Sequence, residues 1–308
     1  MSTSFQKTIK DPIELKGVGL HNGINVNLCL KPAEPNFGIK FKRVDIDDSK
    51  NIIDANYKNV SLSTLCTKIK NSSDISVSTI EHLMAAIHGE RIDNILIELD
   101  APEVPIMDGS AFDFVMAIRS FGTQEQKSSK KFIKVLKKVE LKDGEKYISI
   151  EPCHSDLIID FEIIYKNPLI RTRRKEFKLS NGDLDSIYNS KTFCLYEDID
   201  YIKSQGLAQG GSLDNAIVVK ENKILNEDGL RYRDEFINHK ILDCLGDLML
   251  SGNSIFGHVK TSQGGHQLTN CLLKEFLSNT SNWEIVNLEG KQENSKDKAY
   301  LRPIAASA

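Results

Sequence analysis

His239, Asp243 and Asp247 follow one another at intervals of four within Glu235–Leu250, and side chains so spaced fall on one stripe of an α-helix. A histidine and an aspartate one turn apart can grip a single divalent cation, as paired histidines at i and i+4 do on zinc-protease helices. Lys240 borders the stripe. Ile237, Ile241, Leu242, Leu245, Leu248 and Met249 share the opposite arc, which must face a core. The stripe is also readable as a solvated helical face carrying a His–Asp pair, and spacing alone does not separate the two readings.

Two other places offer ligand or acid–base chemistry. Glu81-His82 opens the apolar run Leu83-Met-Ala-Ala-Ile87, which reads as a helix stopped by Gly89. Ser78 or Thr79 is placed to cap that helix, with Glu81 three residues beyond Ser78 in a capping-box relation. Glu81 is thus claimed both by a cap and as a catalytic carboxylate. His88, in the last turn, reads as structural and favoured by the helix dipole. Gly264-Gly265-His266 follows a strand at Ser254–Lys260 and presents a histidine on a tight loop. His21 sits in a turn bracketed by Gly17, Gly19 and Gly23, either as a local hydrogen-bonding residue or on a pocket rim.

The elements that must position these groups fall into two α+β sets. Ile13–Lys16, Ile24–Leu30, Gly38–Val44 and Asp93–Leu99 alternate as strands, and Ser110–Ser120 is a short helix. Residues 122–131 are polar and lack periodicity, which marks a linker between a domain at 1–121 and a second at 132–288. In the second, Phe132–Leu141, Lys146–Glu151, Leu157–Tyr165 and Asn215–Val219 are strands, with a turn at Asp143-Gly144. Short helical stretches flank Thr192-Phe193, and Leu268–Leu277 is a closing helix. The charged tail at 289–308 is expected to be mobile.

Composition excludes several classes. A net charge of −3 leaves no basic footprint for nucleic acid. No apolar run approaches the roughly 20 residues that span a bilayer, and the N-terminus lacks the apolar stretch of a secretory signal. Six scattered cysteines without a CxxC pair suit free thiols in a reducing cytoplasm. The expected location is cytoplasmic.

Taken together, Glu81-His82, His239-Lys-x-x-Asp243-x-x-x-Asp247 and Gly264-Gly265-His266 resemble the zinc-dependent UDP-3-O-acyl-N-acetylglucosamine deacetylases of bacterial lipid A biosynthesis. The resemblance also takes in Gly17-Val-Gly-Leu-His21, Ser78-Thr-Ile-Glu-His-Leu83, Pro105-Ile-Met-Asp-Gly109, Lys191-Thr-Phe193, Gly210-Gly-Ser212 and Leu225-Asn-Glu-Asp-Gly229. It implies that His82, His239 and Asp243 hold one Zn2+ per chain, a set that also accepts Fe2+. It implies Glu81 as general base toward water on the metal, and His266, oriented by Asp247, as the cation that stabilises the oxyanion and protonates the leaving amine. Lys240 and Thr192 would act at the oxyanion, Lys146 at a substrate phosphate and Tyr165 against uracil. Leu20, Phe193, Ile199, Ala208, Ser212 and Val218 would line a passage for the acyl chain. The segment from Pro168 to Thr192 departs from the family pattern, so the nucleotide side is the least specified.

The implied fold is two α+β domains, each a sheet layered with helices that pack inward at the domain interface, where the site lies. The implied reaction hydrolyses the N-acetyl amide of a nucleotide-sugar lipid, and the chain is expected to act as a monomer without nucleic acid or a transmembrane segment. No fused dehydratase domain is expected beyond the tail. Two rivals remain at this stage: another metal-dependent amidohydrolase on the same scaffold, and a binding module whose His/Asp stripe is only surface.

Overall fold

Ile95–Leu99 alternates buried and half-buried residues along Ile-Leu-Ile-Glu-Leu, as a strand with one covered face does. In the computed structural model, which describes residues 4–47, 49–288 and 301–303, this strand is the middle of a five-stranded sheet. The order is Ile13–Val18, Asn25–Pro32, Ile95–Leu99, Ile39–Arg43, Ile52–Asp54. The pairing of Ile39–Arg43 with Ile95–Leu99 is parallel and the others are antiparallel. A second sheet of eight strands is organised on Ser254–Ser262. That strand changes neighbours along its length. Ser254–Phe256 runs parallel to Phe132–Lys134, and Gly257–Ser262 lies between antiparallel Tyr147–Pro152 and parallel Leu157–Glu162.

Among the described residues six α-helices join the sheets: α1 (Glu81–Gly89), α2 (Phe112–Phe121), α3 (Leu184–Tyr188), α4 (Tyr196–Ser204), α5 (Glu235–Leu248) and α6 (His266–Ser278). Every residue of α1 is buried, and every residue of α5 except Lys240. The two helices pack on each other. Gly246 permits this approach, because a Cβ there would run into the carbonyl of Glu81. Gly89 acts in the same way at the other end of α1, where a Cβ would meet the hydroxyl of Tyr188 in α3. One apolar cluster runs through both sheets from Ile9 to Leu277, so the two halves share a core across the helices. No helix of the described residues is long and apolar enough to cross a membrane.

Several expectations need correction. Thr123–Ser129, read as aperiodic linker, is a strand paired antiparallel with Phe5–Ile9. Its polarity hid it: the strand itself is mostly exposed, and side-chain amides tie it down, with Asn94 Nδ2 donating to both Gln6 and Gln126. The run Phe132–Leu141 is two strands, Lys131–Val135 and Val139–Asp143, with different partners in the sheet. Arg173–Lys178, a charged run the sequence reading did not assign, pairs on the edge with Leu157–Ile163, Arg174 held by Asp160 and Arg173 by Asp234. Gly89 ends α1 as its last helical residue, and close packing rather than a left-handed conformation requires it. The expected mobile tail lies outside the described residues except for Leu301–Pro303, which pairs with Val286–Leu288.

Candidate active site

Two imidazoles and a carboxylate meet where α1 crosses α5. The His239 ring presents Nδ1 to the carbonyl of Ser190 at 3.0 Å, which turns Nε2 toward Asp243 Oδ1 at 3.3 Å. His82 Nε2 lies 3.6 Å from the same oxygen, its ring edge-on to that of His239 with centroids 5.0 Å apart. The ligand atoms of His82, His239 and Asp243 all lie within 4.8 Å of one another, and all three residues are buried. Asp243 Oδ1 has no hydrogen-bond partner among the described residues. A buried carboxylate oxygen rarely goes unsatisfied, and one flanked by two imidazole nitrogens fits a divalent cation. Burial holds the His239 imidazole down to about 3, so it is neutral as a ligand must be. Burial works against ionising Asp243, but the Lys240 ammonium 2.8 Å away and the cationic His266 nearby outweigh it and keep its carboxyl well below the usual range. The stripe read from the sequence is therefore not a solvated face. The set suits zinc or ferrous iron.

Beside this group, four residues, Thr67, Glu81, Asp247 and His266, form a ring of contacts. His266, the first residue of α6, has Nδ1 2.7 Å from Asp247 Oδ2. Its Nε2 lies 3.7 Å from Glu81 Oε1. Glu81 Oε2 accepts the backbone N–H of Thr67 at 3.0 Å, and the Thr67 hydroxyl donates to Asp247 Oδ1 at 2.6 Å. Burial alone would lower the His266 imidazole. Asp247 and Glu81 reverse that and push it up to about 10, so it is cationic at neutral pH. Burial raises the Glu81 carboxyl, with His266 and His82 opposing. The capping reading of Glu81 fails. Glu81 is the first residue of α1 after Ile80, no side chain caps that end, and Thr79 donates to Glu103 instead. His88 is structural for a different reason from the one expected. It is neutral, held down to about 4 by burial, and donates from Nδ1 to Leu245 O at 2.8 Å.

A cavity of about 850 Å³ opens beside these groups. Leu20, Lys146, Tyr165, Thr192, Phe193 and Lys240 line it, whereas Ile199, Ala208, Ser212 and Val218 lie outside its wall. Leu195 and Ile202, apolar residues of the same 191–218 stretch, line it as well, together with Leu65 from the first half. Ala208 instead holds the turn below Leu20, its N–H reaching His21 Nδ1 at 3.4 Å, so His21 is a local hydrogen-bonding residue. The Phe193 ring touches those of Tyr165, Phe236 and His239 at centroid distances of 5.8, 4.9 and 6.4 Å. Lys240 Nζ is bound to Asp243 Oδ2 at 2.8 Å. Thr192 is fixed by its backbone, donating to Gly109 O and accepting from Ile217 N. The carboxylate of Glu235 takes the neighbouring N–H of Lys191 at 3.0 Å. Gly264 is dictated by Thr261, whose hydroxyl a Cβ would strike. Thr67, Ser190 and Glu235 carried no signal in the sequence, since their partners lie far along the chain.

The family model described as UDP-3-O-acyl N-acetylglycosamine deacetylase matches residues 6–278. A protein of Cellvibrio japonicus named UDP-3-O-acyl-N-acetylglucosamine deacetylase is 45% identical, over 98% of this chain and 99% of its own. Proteins of the same name from Teredinibacter turnerae and Haemophilus influenzae are 43% and 41% identical, with 97% or more of each chain covered. The chain belongs to this family.

Proposed function

We propose that this member of the UDP-3-O-acyl-N-acetylglucosamine deacetylase family hydrolyses the N-acetyl amide of UDP-3-O-(3-hydroxyacyl)-N-acetylglucosamine, releasing acetate and the free amine in lipid A biosynthesis. The observation that carries this reading is the 3.7 Å gap between Glu81 Oε1 and His266 Nε2, opening beside the His82–His239–Asp243 group. A base and an acid on either side of one small space are what amide hydrolysis needs.

His82, His239 and Asp243 would hold one zinc ion. Bound there, zinc supplies Lewis acidity, lowering the pKa of a water toward about 7 and polarising an amide carbonyl. Glu81 accepts the water proton on Oε1, because Oε2 is already occupied by the Thr67 N–H. Its raised carboxyl makes it the better base. His266 is charged before the reaction begins, which favours negative charge growing on the carbonyl oxygen. Its Nε2 proton then goes to the departing nitrogen, since Nδ1 is held by Asp247. The Thr192 hydroxyl is the further donor for the oxyanion. Lys240 contributes its charge through space, its ammonium being engaged by Asp243.

For the substrate, Lys146 at the cavity mouth takes a phosphate, Tyr165 lies flat against the base, and Leu20, Phe193, Leu195 and Ile202 face the acyl chain. The mixed wall supports this division, with Lys142, Asp143 and Lys146 in one stretch and the mainly apolar Phe193, Cys194, Leu195 and Ile202, with Asp198 among them, in the other. The six cysteines are all unpaired, which supports a reducing, cytoplasmic location. Incubating the purified, zinc-loaded protein with the acylated UDP-sugar and measuring acetate and free amine tests the activity. Absence of both overturns it.

A further inference from the structure

We infer that Thr67 is a positioning residue that holds the base and the acid of this site apart. The inference rests on the deacetylase reading for the meaning of Glu81 and His266, but its geometry stands alone. Thr67 is 2% exposed and comes from the connection before Lys68–Lys70, with no place in either helix. Each of its polar groups is engaged. The N–H donates to Glu81 Oε2, the hydroxyl donates to Asp247 Oδ1, and the carbonyl accepts the N–H of Ile80. One residue thereby takes one oxygen from each of two carboxylates. The oxygens left over, Glu81 Oε1 and Asp247 Oδ2, face the two nitrogens of the same imidazole.

The consequence lies in the unequal distances. Asp247 Oδ2 is in hydrogen-bond contact with His266 at 2.7 Å, whereas Glu81 Oε1 stands off at 3.7 Å. A buried cation and anion attract strongly, and without a tether they would close to a direct bond of about 2.7–2.9 Å. That bond would pass the proton from acid to base without turnover and fill the space a reacting amide must occupy. The backbone of Thr67 restrains Glu81 against this collapse. Its hydroxyl fixes the plane of the Asp247 carboxylate, and so the direction of the imidazole. Removing the hydroxyl leaves Asp247 Oδ1 buried without its donor, free to rotate.

Thr67→Val keeps the branched shape and the N–H and deletes the hydroxyl, whereas Thr67→Ser keeps both donors. With zinc content unchanged, we expect Thr67→Val to lower kcat by about 10–100-fold with little change in KM, and Thr67→Ser to stay close to wild type. In an Asp247→Asn background, Thr67→Val should cost nothing further, because the two groups act as one unit. A readout apart from turnover is the proton on His266 Nδ1, followed by NMR in the zinc-loaded protein without substrate. Its downfield line should persist in Thr67→Ser and shift or vanish in Thr67→Val. If Thr67→Val does not fold, Thr67→Ala carries the same two measurements. An unchanged line, full kcat in the hydroxyl-deleted variant, or a loss that adds to that of Asp247→Asn overturns the inference. Failure of the wild-type protein to release acetate would instead overturn the deacetylase reading, and the NMR line would still decide the role of Thr67.

Discussion

Gly246 of α5 lies against the carbonyl oxygen of Glu81 in α1, and no side chain fits between them. This contact sets how near the His239–Asp243 turn comes to Glu81-His82, so the assembly of the site depends on a residue that takes no part in its chemistry. Alanine is the better helix former by roughly 0.8–1 kcal/mol. Gly246→Ala should nevertheless lose stability, by about 1–3 kcal/mol from overpacking, and weaken zinc binding as the helices part. Denaturant melts and zinc titration check both effects. A stabilised variant with unaltered zinc affinity would show that the helices have room to spare.

Asp243 separates metal binding from folding. Asp243→Ala should abolish stoichiometric zinc, and with it activity, while the far-ultraviolet spectrum and a cooperative melt survive. The apolar arc of α5 is untouched by the change. Metal analysis after gel filtration reads the outcome, and full zinc content in the variant would remove Asp243 from the ligand set. Chelation of the wild-type protein should likewise stop turnover, and added zinc should restore it.

The rate should follow a bell in pH. As the proposed base Glu81 must be ionised, and burial raises its carboxyl, so activity should climb with pH through a limb above the ordinary carboxylate range. As the proposed acid His266 must be protonated, and that imidazole is pushed up to about 10, so activity should fall as pH approaches that value. Glu81→Gln should flatten the acid limb and His266→Ala the basic limb, each at a cost of about 10²–10⁴ in rate. Profiles of kcat/KM measure this directly. A variant with near wild-type turnover loses the role assigned to it.

His88 ties stability to pH. Its imidazole is held down to about 4 in the folded protein against an ordinary value near 6.5. The unfolded chain therefore binds the extra proton first. Stability is complete above about pH 6.5 and declines as pH falls toward about 4, with roughly 3 kcal/mol at stake. Urea melts across this range should show a shallower acid decline for His88→Gln than for the wild type. Parallel curves would assign the decline to other groups.

The acyl chain should be felt in catalysis as well as in binding. Each methylene buried against Leu20, Phe193, Leu195 and Ile202 is worth about 0.8 kcal/mol. Some of that energy can hold the distant amide in place. Shortening the chain should lower kcat/KM progressively, and Ile202→Asp should penalise long-chain substrates far more than an unacylated one. Equal turnover of acylated and unacylated UDP-N-acetylglucosamine would show that the apolar wall does not serve the substrate.

His239 and Asp243 were legible as a pair able to meet one cation because a helix fixes their separation whatever surrounds it. The alternation of Ile95–Leu99 and the turn at Asp143-Gly144 were legible for the same reason, since both are consequences of local backbone geometry. Burial was not local. By its spacing alone the stripe on α5 read more readily as a wet face, and only α1 packing across it made it an interior. The cavity wall was legible only in part. The apolar stretch from Phe193 includes Leu195, Ile202 and Ala208, and the fold turns the first two toward the cavity, with Leu65 from the first half, while Ala208 and Ser212 lie off its wall. The strand at Thr123–Ser129 was invisible because backbone pairing and amide networks, not apolar periodicity, hold it. Thr67 marks the limit most clearly. Its hydroxyl meets a carboxylate 180 residues away, a distance bridged by two sheets sharing one core and by a glycine that lets two helices touch. Covalent spacing determines which groups can act together within one helix turn. Packing alone decides which turns meet.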